Sequence, residues 1–308
     1  MKDILFKLKD KIMSIASKYG YKPDNEAIAH QLDLIAASLE GLASPELYKA
    51  CFGIMDQTTL ANDDTPASVK AMVEKVNALR TAFPDFPYPA SCCVYPNFAS
   101  VVAATRASKE IHVTCVAACF PTSQSFLEVK LKEVEMAVRD GADEIDIVLA
   151  LNSFLVGDYD KAGAEIKAVS DLIKQLSAEL GRPVILKVIL ETGLLPGTDA
   201  IADASFLAME NGADFIKTST GKVKVNATPQ AAYVMCECIK KFYEKTGRKV
   251  GFKPAGGVSS ALDAVCYWTI VKTVLGEEWL NKDLFRFGVS SLANKLLTAV
   301  EQKTITHF

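Results

Sequence analysis

An α/β barrel of eight strands is the fold this 308-residue sequence predicts. Three observations carry the expectation: short apolar runs alternate with amphipathic segments from about residue 50 onward, there are eight such runs, and no glycine-rich loop follows the first. The alternation marks βα units around a parallel sheet whose strands are buried on both faces. Eight is the number at which such a sheet closes on itself. The competitor is a doubly wound open sheet, which usually carries a glycine-rich phosphate loop directly behind its first strand. Here the segment after Asp56 is QTTLANDD.

Residues 1–46 read as an N-terminal helical extension. Ile4, Leu5, Leu8, Ile12 and Ile15 recur at helical spacing, and so do Ile28, Leu32, Ile35 and Leu39. Residues 47–308 read as the barrel. Its candidate strands are CFGIMD (51–56), ASCCVYP (90–96), HVTCVAA (112–118), EIDIVLA (144–150), PVILKVIL (183–190), DFIKTS (214–219), KVGFKPA (249–255) and FRFGVSS (285–291). Helical stretches lie between them, among them Ser125 to Arg139, Lys161 to Leu180 and Ala227 to Thr246. With 50% hydrophobic residues the chain has enough apolar content for one large core.

Composition removes several function classes. A net charge of -3, from 34 basic and 37 acidic residues, lacks the cationic excess of a nucleic-acid binder. The eight cysteines lie mostly inside apolar runs, as reduced core thiols would. Neither Cys115 with Cys119 nor Cys236 with Cys238 has a second cysteine or histidine pair at zinc-site spacing, and only His30, His112 and His307 exist, so no metal site is expected. The opening MKDILFKLKDKIMSIASKYG mixes charge with apolar residues too often for a signal peptide. No run approaches the roughly 20 apolar residues of a membrane span. A cytoplasmic protein without membrane or nucleic-acid partners is the expectation, and the Asn226-Ala227-Thr228 sequon is then void.

Barrel enzymes keep their chemistry at the C-terminal ends of the strands, so charged residues there are the place to look. The sixth run carries Lys217 beside Phe215 and Ile216, where an ammonium is expensive to bury unless paired or neutralised. A lone lysine there also reads as one snorkelling to the rim. Lys253, at the matching height on the seventh run, changes that reading, because two adjacent ammonium groups lower the pKa of one and make it a nucleophilic amine. In the fourth run, alternation puts Glu144, Asp146 and Val148 on one face. Asp146 there pairs with the lysines, either as a proton carrier or as a purely structural ion partner. Lys187 and Asp56 extend the charged cluster as electrostatic partners.

The seventh and eighth runs end in Gly256, Gly257, Gly288, Ser290 and Ser291, the two loops from which barrels commonly build a phosphate site. Gly221 and Lys222 add a cation to the same region. Backbone amides at a helix start with serine hydroxyls suit a dianion, although glycines taken singly are also plain turns. Cys92 and Cys93 point to opposite faces, so one of them can look toward the site, although each taken singly reads as a core thiol.

The runs MDQTTL (55–60), CCVYP (92–96), GADEIDIV (141–148), LKVILETG (186–193), ADFIKTSTGKVKVNATP (213–229), GFKPAGGV (251–258) and FRFGVSSL (285–292) together resemble the deoxyribose-phosphate aldolase family, in order, over roughly residues 50 to 300. The resemblance implies reversible cleavage of 2-deoxy-D-ribose 5-phosphate to D-glyceraldehyde 3-phosphate and acetaldehyde by a class I aldolase, with no metal or organic cofactor. It also implies roles: Lys217 forms the imine, Lys253 lowers its pKa, Asp146 shuttles protons with a water, and Asp56 orients Lys253. Gly221, Lys222, Gly256, Gly257, Gly288, Ser290 and Ser291 hold the phosphate, with Cys93, Lys187 and Thr218 counted in the substrate-binding set. A homo-oligomer is compatible with all of this.

Two departures stand out. Ser259 occupies a position where many members carry arginine, and the sequence ends Thr306-His307-Phe308 where some members end in a tyrosine that reaches the site. Two other functions stay open at this point. One is another Schiff-base barrel, a transaldolase or a fructose-bisphosphate type aldolase; the other is a barrel that binds phosphorylated sugars without turning them over.

Overall fold

A computed structural model describes residues 14–308. Ile4, Leu5, Leu8 and Ile12, on which the first expected helix rests, lie outside the described residues. A short 3-10 turn at Ile15–Tyr19 opens the described chain and is tied down by Asp203, whose carboxylate accepts from the Ser14 hydroxyl at 2.6 Å and the Ala16 N–H at 2.9 Å. Helix α1 (Asn25–Leu42) starts where the Asp24 side chain accepts the Glu26 and Ala27 N–H groups. Helix α2 (Pro45–Gly53) starts with Ser44 as cap and proline in its first turn.

Helix α2 corrects one boundary: it takes in Cys51, Phe52 and Gly53, which had read as the start of the first strand. An apolar run of this length does not separate a buried helix end from a buried strand, and Phe52 is fully buried here as the last turn of a helix.

The barrel then follows as β1 (Met55–Thr58), α3 (Pro66–Ala82), β2 (Ser91–Val94), α4 (Ala99–Thr105), β3 (His112–Val116), α5 (Leu127–Arg139), β4 (Glu144–Val148), α6 (Leu151–Phe154), α7 (Tyr159–Leu180), β5 (Ile185–Ile189), α8 (Thr198–Glu210), β6 (Phe215–Lys217), α9 (Pro229–Thr246), β7 (Gly251–Lys253), α10 (Ala261–Leu275), β8 (Phe287–Val289) and α11 (Leu292–Glu301). All strand pairs are parallel, in the order β7-β6-β5-β4-β3-β2-β1-β8. The ring is completed by bridges from Phe252 to Phe285 and from Ala255 to Gly288. Seven of the eight expected strands contain an observed one; the first overlaps it only at Met55 and Asp56.

Outside the sheet, helices bury one stripe each, as Val69, Val73, Val76 and Leu79 of α3 do at three- and four-residue spacing. Helix α1 packs on α9 and α10, and α2 on α10 and α11. Tyr19 stacks on Phe206 of α8 with ring centroids 4.1 Å apart. No described helix is long and apolar enough to cross a membrane. All eight cysteines are unpaired.

Candidate active site

Strand alternation decides which side chains enter the lumen, and register decides which of them meet. Lys217 and Lys253 are register partners on β6 and β7, Asp146 and Lys187 on β4 and β5, and Asp56 and Gly288 on β1 and β8. The side chains that meet in the lumen are therefore charged rather than aliphatic. Asp146 is the hub: its Oδ2 accepts from Lys217 Nζ and from Lys253 Nζ at 2.8 Å each, and its Oδ1 accepts from Lys187 Nζ at 3.0 Å. Lys253 also donates to Asp56 Oδ2 at 2.5 Å, and Lys187 to Glu144 Oε2 at 2.5 Å. Gly288 leaves room for this, since a Cβ there would stand 3.0 Å from Lys253 Cε and 2.8 Å from the Ala255 Cβ.

Arg286 closes the lower side of the network and was not singled out from the sequence. It is fully buried and donates to Asp56 Oδ1 at 2.7 Å and to Glu144 at 2.7 and 3.1 Å. Glu144, read before only for the face it occupies, also meets Thr114 and the Nδ1 of His112. The signal existed: Arg286 stands two residues before Gly288 in FRFGVSS, so alternation puts both on the lumen face.

The electrostatics separate the four cations. Burial and the nearby Lys253 charge hold the Lys217 amine below the ordinary lysine range, against the pull of Asp146. Lys253 and Lys187 are raised instead, because the carboxylates beside each outweigh the burial that opposes their charge. Burial likewise opposes ionisation of Asp146, yet Lys187, Lys217 and Lys253 together hold its carboxyl far below the usual range. Asp56 and Glu144 are depressed for the same reason, with Lys253 and Arg286 respectively as the leading cations. Lys217 is thus the lumen cation whose proton affinity is lowered.

Above Lys217 opens a cavity of about 470 Å³ at the C-terminal ends of β1, β6, β7 and β8. Its wall includes Gly221, Lys222, Gly256, Gly257, Ser259, Gly288, Ser290 and Ser291, so the glycines and serines expected at a phosphate site come together with Lys217 at one opening. Gly256 and Gly257 both hold left-handed φ, +67° and +77°, and a Cβ on Gly256 would press on Asn226 at 2.8 Å. Lys222 donates from Nζ to the Leu60 carbonyl at 2.6 Å, across the mouth. Ser291 precedes α11 without capping it, leaving its hydroxyl beside the helix start. At α10 the arrangement is reversed: Asp263 accepts from the N–H groups of Ser259 and Ser260 at 2.8 Å each, so a carboxylate already answers that helix's positive end.

Three residues of the expected substrate-binding set lie beneath the cavity rather than on its wall. Lys187 is fully buried between Glu144 and Asp146. The Thr218 hydroxyl accepts the Ala255 N–H at 2.9 Å, stitching β6 to β7. Cys93 does face the lumen charges but is only 1% exposed, and burial raises its thiol. Among the described residues, no group of three or more His, Cys, Asp or Glu side chains is arranged to hold a metal ion.

A closed eight-stranded barrel with a polar cavity at the C-terminal ends of its strands, floored by a lysine, is the architecture of a barrel enzyme. The chain belongs to the DeoC/LacD family of aldolases, whose family model matches residues 52–275. It is 40% identical to the deoxyribose-phosphate aldolases of Bos taurus and Homo sapiens, in each case over 266 residues that make up 82% of this chain and 79% of the relative. Its fold matches that of an Aeropyrum pernix deoxyribose phosphate aldolase with a TM-score of 0.63 at 24% identity, over 90% of this chain and 98% of the other.

Proposed function

We propose that the chain cleaves 2-deoxy-D-ribose 5-phosphate reversibly to D-glyceraldehyde 3-phosphate and acetaldehyde, through an imine on Lys217. The observation that carries this reading is the contrast among the lumen cations: Lys217 alone of the four has a lowered proton affinity, and it alone lines the cavity. The Lys217 amine adds to the C1 aldehyde of the open-chain sugar and water leaves, giving a protonated imine. That cation draws the C2–C3 electrons as the bond breaks, the C3 hydroxyl loses its proton, and glyceraldehyde 3-phosphate departs. The remaining enamine takes a proton at C2, and water hydrolyses the imine to acetaldehyde and the free amine. Asp146, 2.8 Å from the amine, is the proton carrier; Lys253 keeps the amine's affinity for protons low, and Asp56 holds Lys253.

The phosphate belongs to Gly221, Lys222, Gly256, Gly257, Ser290 and Ser291, with Gly288 beside them, and in this reading the imine on Lys217 is the electron sink of the cleavage. The test is borohydride reduction in the presence of acetaldehyde followed by peptide mapping. A mass increase at Lys217 supports the reading; trapping at another lysine, or at none, removes it. Dihydroxyacetone phosphate in place of acetaldehyde distinguishes a fructose-bisphosphate type donor. We also propose that residues 1–46 are an extension on a barrel of residues 47–308, and that the protein works in the cytoplasm as a homo-oligomer. The Aeropyrum pernix neighbour is described as tetrameric.

A further inference from the structure

Gly221 and Lys222 sit on a support in which Glu191 is central. Glu191 follows β5, is 2% exposed, and holds left-handed backbone angles of φ 54° and ψ 56°. A residue with a side chain is kept in that region only where its surroundings over-determine it, and such positions gather at ligand sites. The carboxylate supplies the constraint. Its Oε1 accepts the Thr220 N–H at 3.1 Å and its Oε2 accepts the Thr220 hydroxyl at 2.5 Å. With its one proton committed to Glu191, the Thr220 oxygen is left to accept the Lys222 N–H at 3.0 Å. Gly221 bridges the two at φ +80°. Two residues past Glu191, Gly193 lies so close to the Val225 carbonyl that a Cβ would not fit, so the turn after β5 is the bed on which the 220–226 loop rests.

A buried carboxylate beside an anion site works against the ligand's charge, so its contribution there is geometric. We infer that Glu191 is a positioning residue for phosphate recognition: through Thr220 it fixes the turn that presents the Gly221 and Lys222 backbone and the Lys222 ammonium to the cavity. This rests on the phosphate reading above.

The experiment compares Glu191→Gln, Thr220→Val and Lys222→Ala with the parent. Steady-state rates are measured on deoxyribose with and without its phosphate, together with inhibition of the unphosphorylated reaction by inorganic phosphate. The glutamine amide has one acceptor oxygen where the carboxylate has two, so either the Thr220 N–H or the Thr220 hydroxyl must face its NH2 instead, and valine has no oxygen for the Lys222 N–H. Both variants should raise KM for the phosphorylated sugar and the inhibition constant of inorganic phosphate by roughly tenfold, the worth of one hydrogen bond to a charged group. For Glu191→Gln, kcat and the borohydride-trapped fraction at Lys217 should stay with the parent. Equal losses on both sugars, or unchanged KM and inhibition in both variants, would overturn the inference, and Thr220→Val decides alone if Glu191→Gln does not fold. Lys222→Ala separates the two ideas. Phosphate inhibition unmoved by Lys222→Ala removes the phosphate reading itself, whereas inhibition weakened there but not in the other two removes only the role of Glu191.

Discussion

Asp146→Asn should uncouple imine formation from turnover and cost a measurable part of the fold's stability. In the parent one carboxylate serves Lys187 through Oδ1 and both Lys217 and Lys253 through Oδ2. An asparagine offers one acceptor oxygen and one NH2, so whichever way it turns, a donor faces a donor. Removing one partner of a buried ionic network costs about 3–5 kcal/mol, because the remaining charges stay buried without it. For a chain of this size that corresponds to a drop in Tm of roughly 5–10 °C. The chemical consequences point in two directions. Asp146 is the group that favours the protonated form of Lys217, so its loss lowers the amine's proton affinity further and borohydride trapping should persist to lower pH. Turnover should nevertheless fall by about 10²- to 10⁴-fold, the usual contribution of a general acid–base group. The assays are calorimetry, trapping as a function of pH, and retro-aldol rate on the same preparation. A Tm within about 2 °C of the parent would refute the hub. Trapping that shifts to higher pH would refute the electrostatics.

Lys217→Met should abolish turnover while leaving the protein at least as stable as the parent at neutral pH. The unfolded chain keeps its Lys217 proton up to about pH 10.4 while the folded chain releases it lower, so parent stability rises with pH across that window, and urea denaturation of the variant should lack that rise. Lys253→Met should move the acid limb of the pH profile to higher pH, because a neighbouring positive charge has gone; an unmoved limb would show the two amines to be uncoupled. Inactivation by an α,β-unsaturated aldehyde should be slow near neutral pH and quicken as pH rises, since burial raises the Cys93 thiol; Cys93→Met that dies at the parental rate would place the reactive nucleophile elsewhere. Ser259→Arg should lower KM for the phosphorylated sugar by less than the roughly tenfold or more of a full charge-assisted contact, because Asp263 competes for the guanidinium, and adding Asp263→Asn should release the rest. Identical sugar preferences in parent and both variants would show that position 259 does not face the phosphate. Acid should unfold the parent as pH falls below about 4, where the depressed carboxylates Asp56, Glu144 and Asp146 begin to bind protons more readily unfolded than folded.

What was legible in the sequence is what obeys a short period. Strand alternation predicted that Asp146 and Glu144 share a face, and the βα rhythm located seven strands within a few residues. The paired heights of Lys217 and Lys253 followed from counting along adjacent runs. Cys51–Gly53 went wrong because hydrophobicity alone carries no period over three residues. For Thr218 and Lys187 the location was legible and the depth was not: whether a side chain points into a cavity or into the layer beneath depends on how far up its strand the ring closes, which no local pattern encodes. Glu191 is further from view still. Its importance lies in a left-handed backbone and in a bond to Thr220, 29 residues away, and nothing in LETG announces either.

The interior of a barrel of this type is ordinarily filled by layers of branched apolar side chains. Here part of it holds Lys187, Lys217, Lys253 and Arg286 against Asp56, Glu144 and Asp146, all essentially buried. Four cations face three carboxylates, and in a medium that stabilises ions poorly the surplus charge is the unstable part. Arg286 cannot give up a proton near neutrality, Lys187 lies within 4.0 Å of three carboxylates and Lys253 of two, whereas Lys217 reaches one. The imbalance therefore falls on Lys217, the amine that opens on the cavity. On this reading the distant Arg286 matters to the reaction as a source of that imbalance: it supplies the fourth positive charge while keeping Asp56 and Glu144 ionised beneath the site.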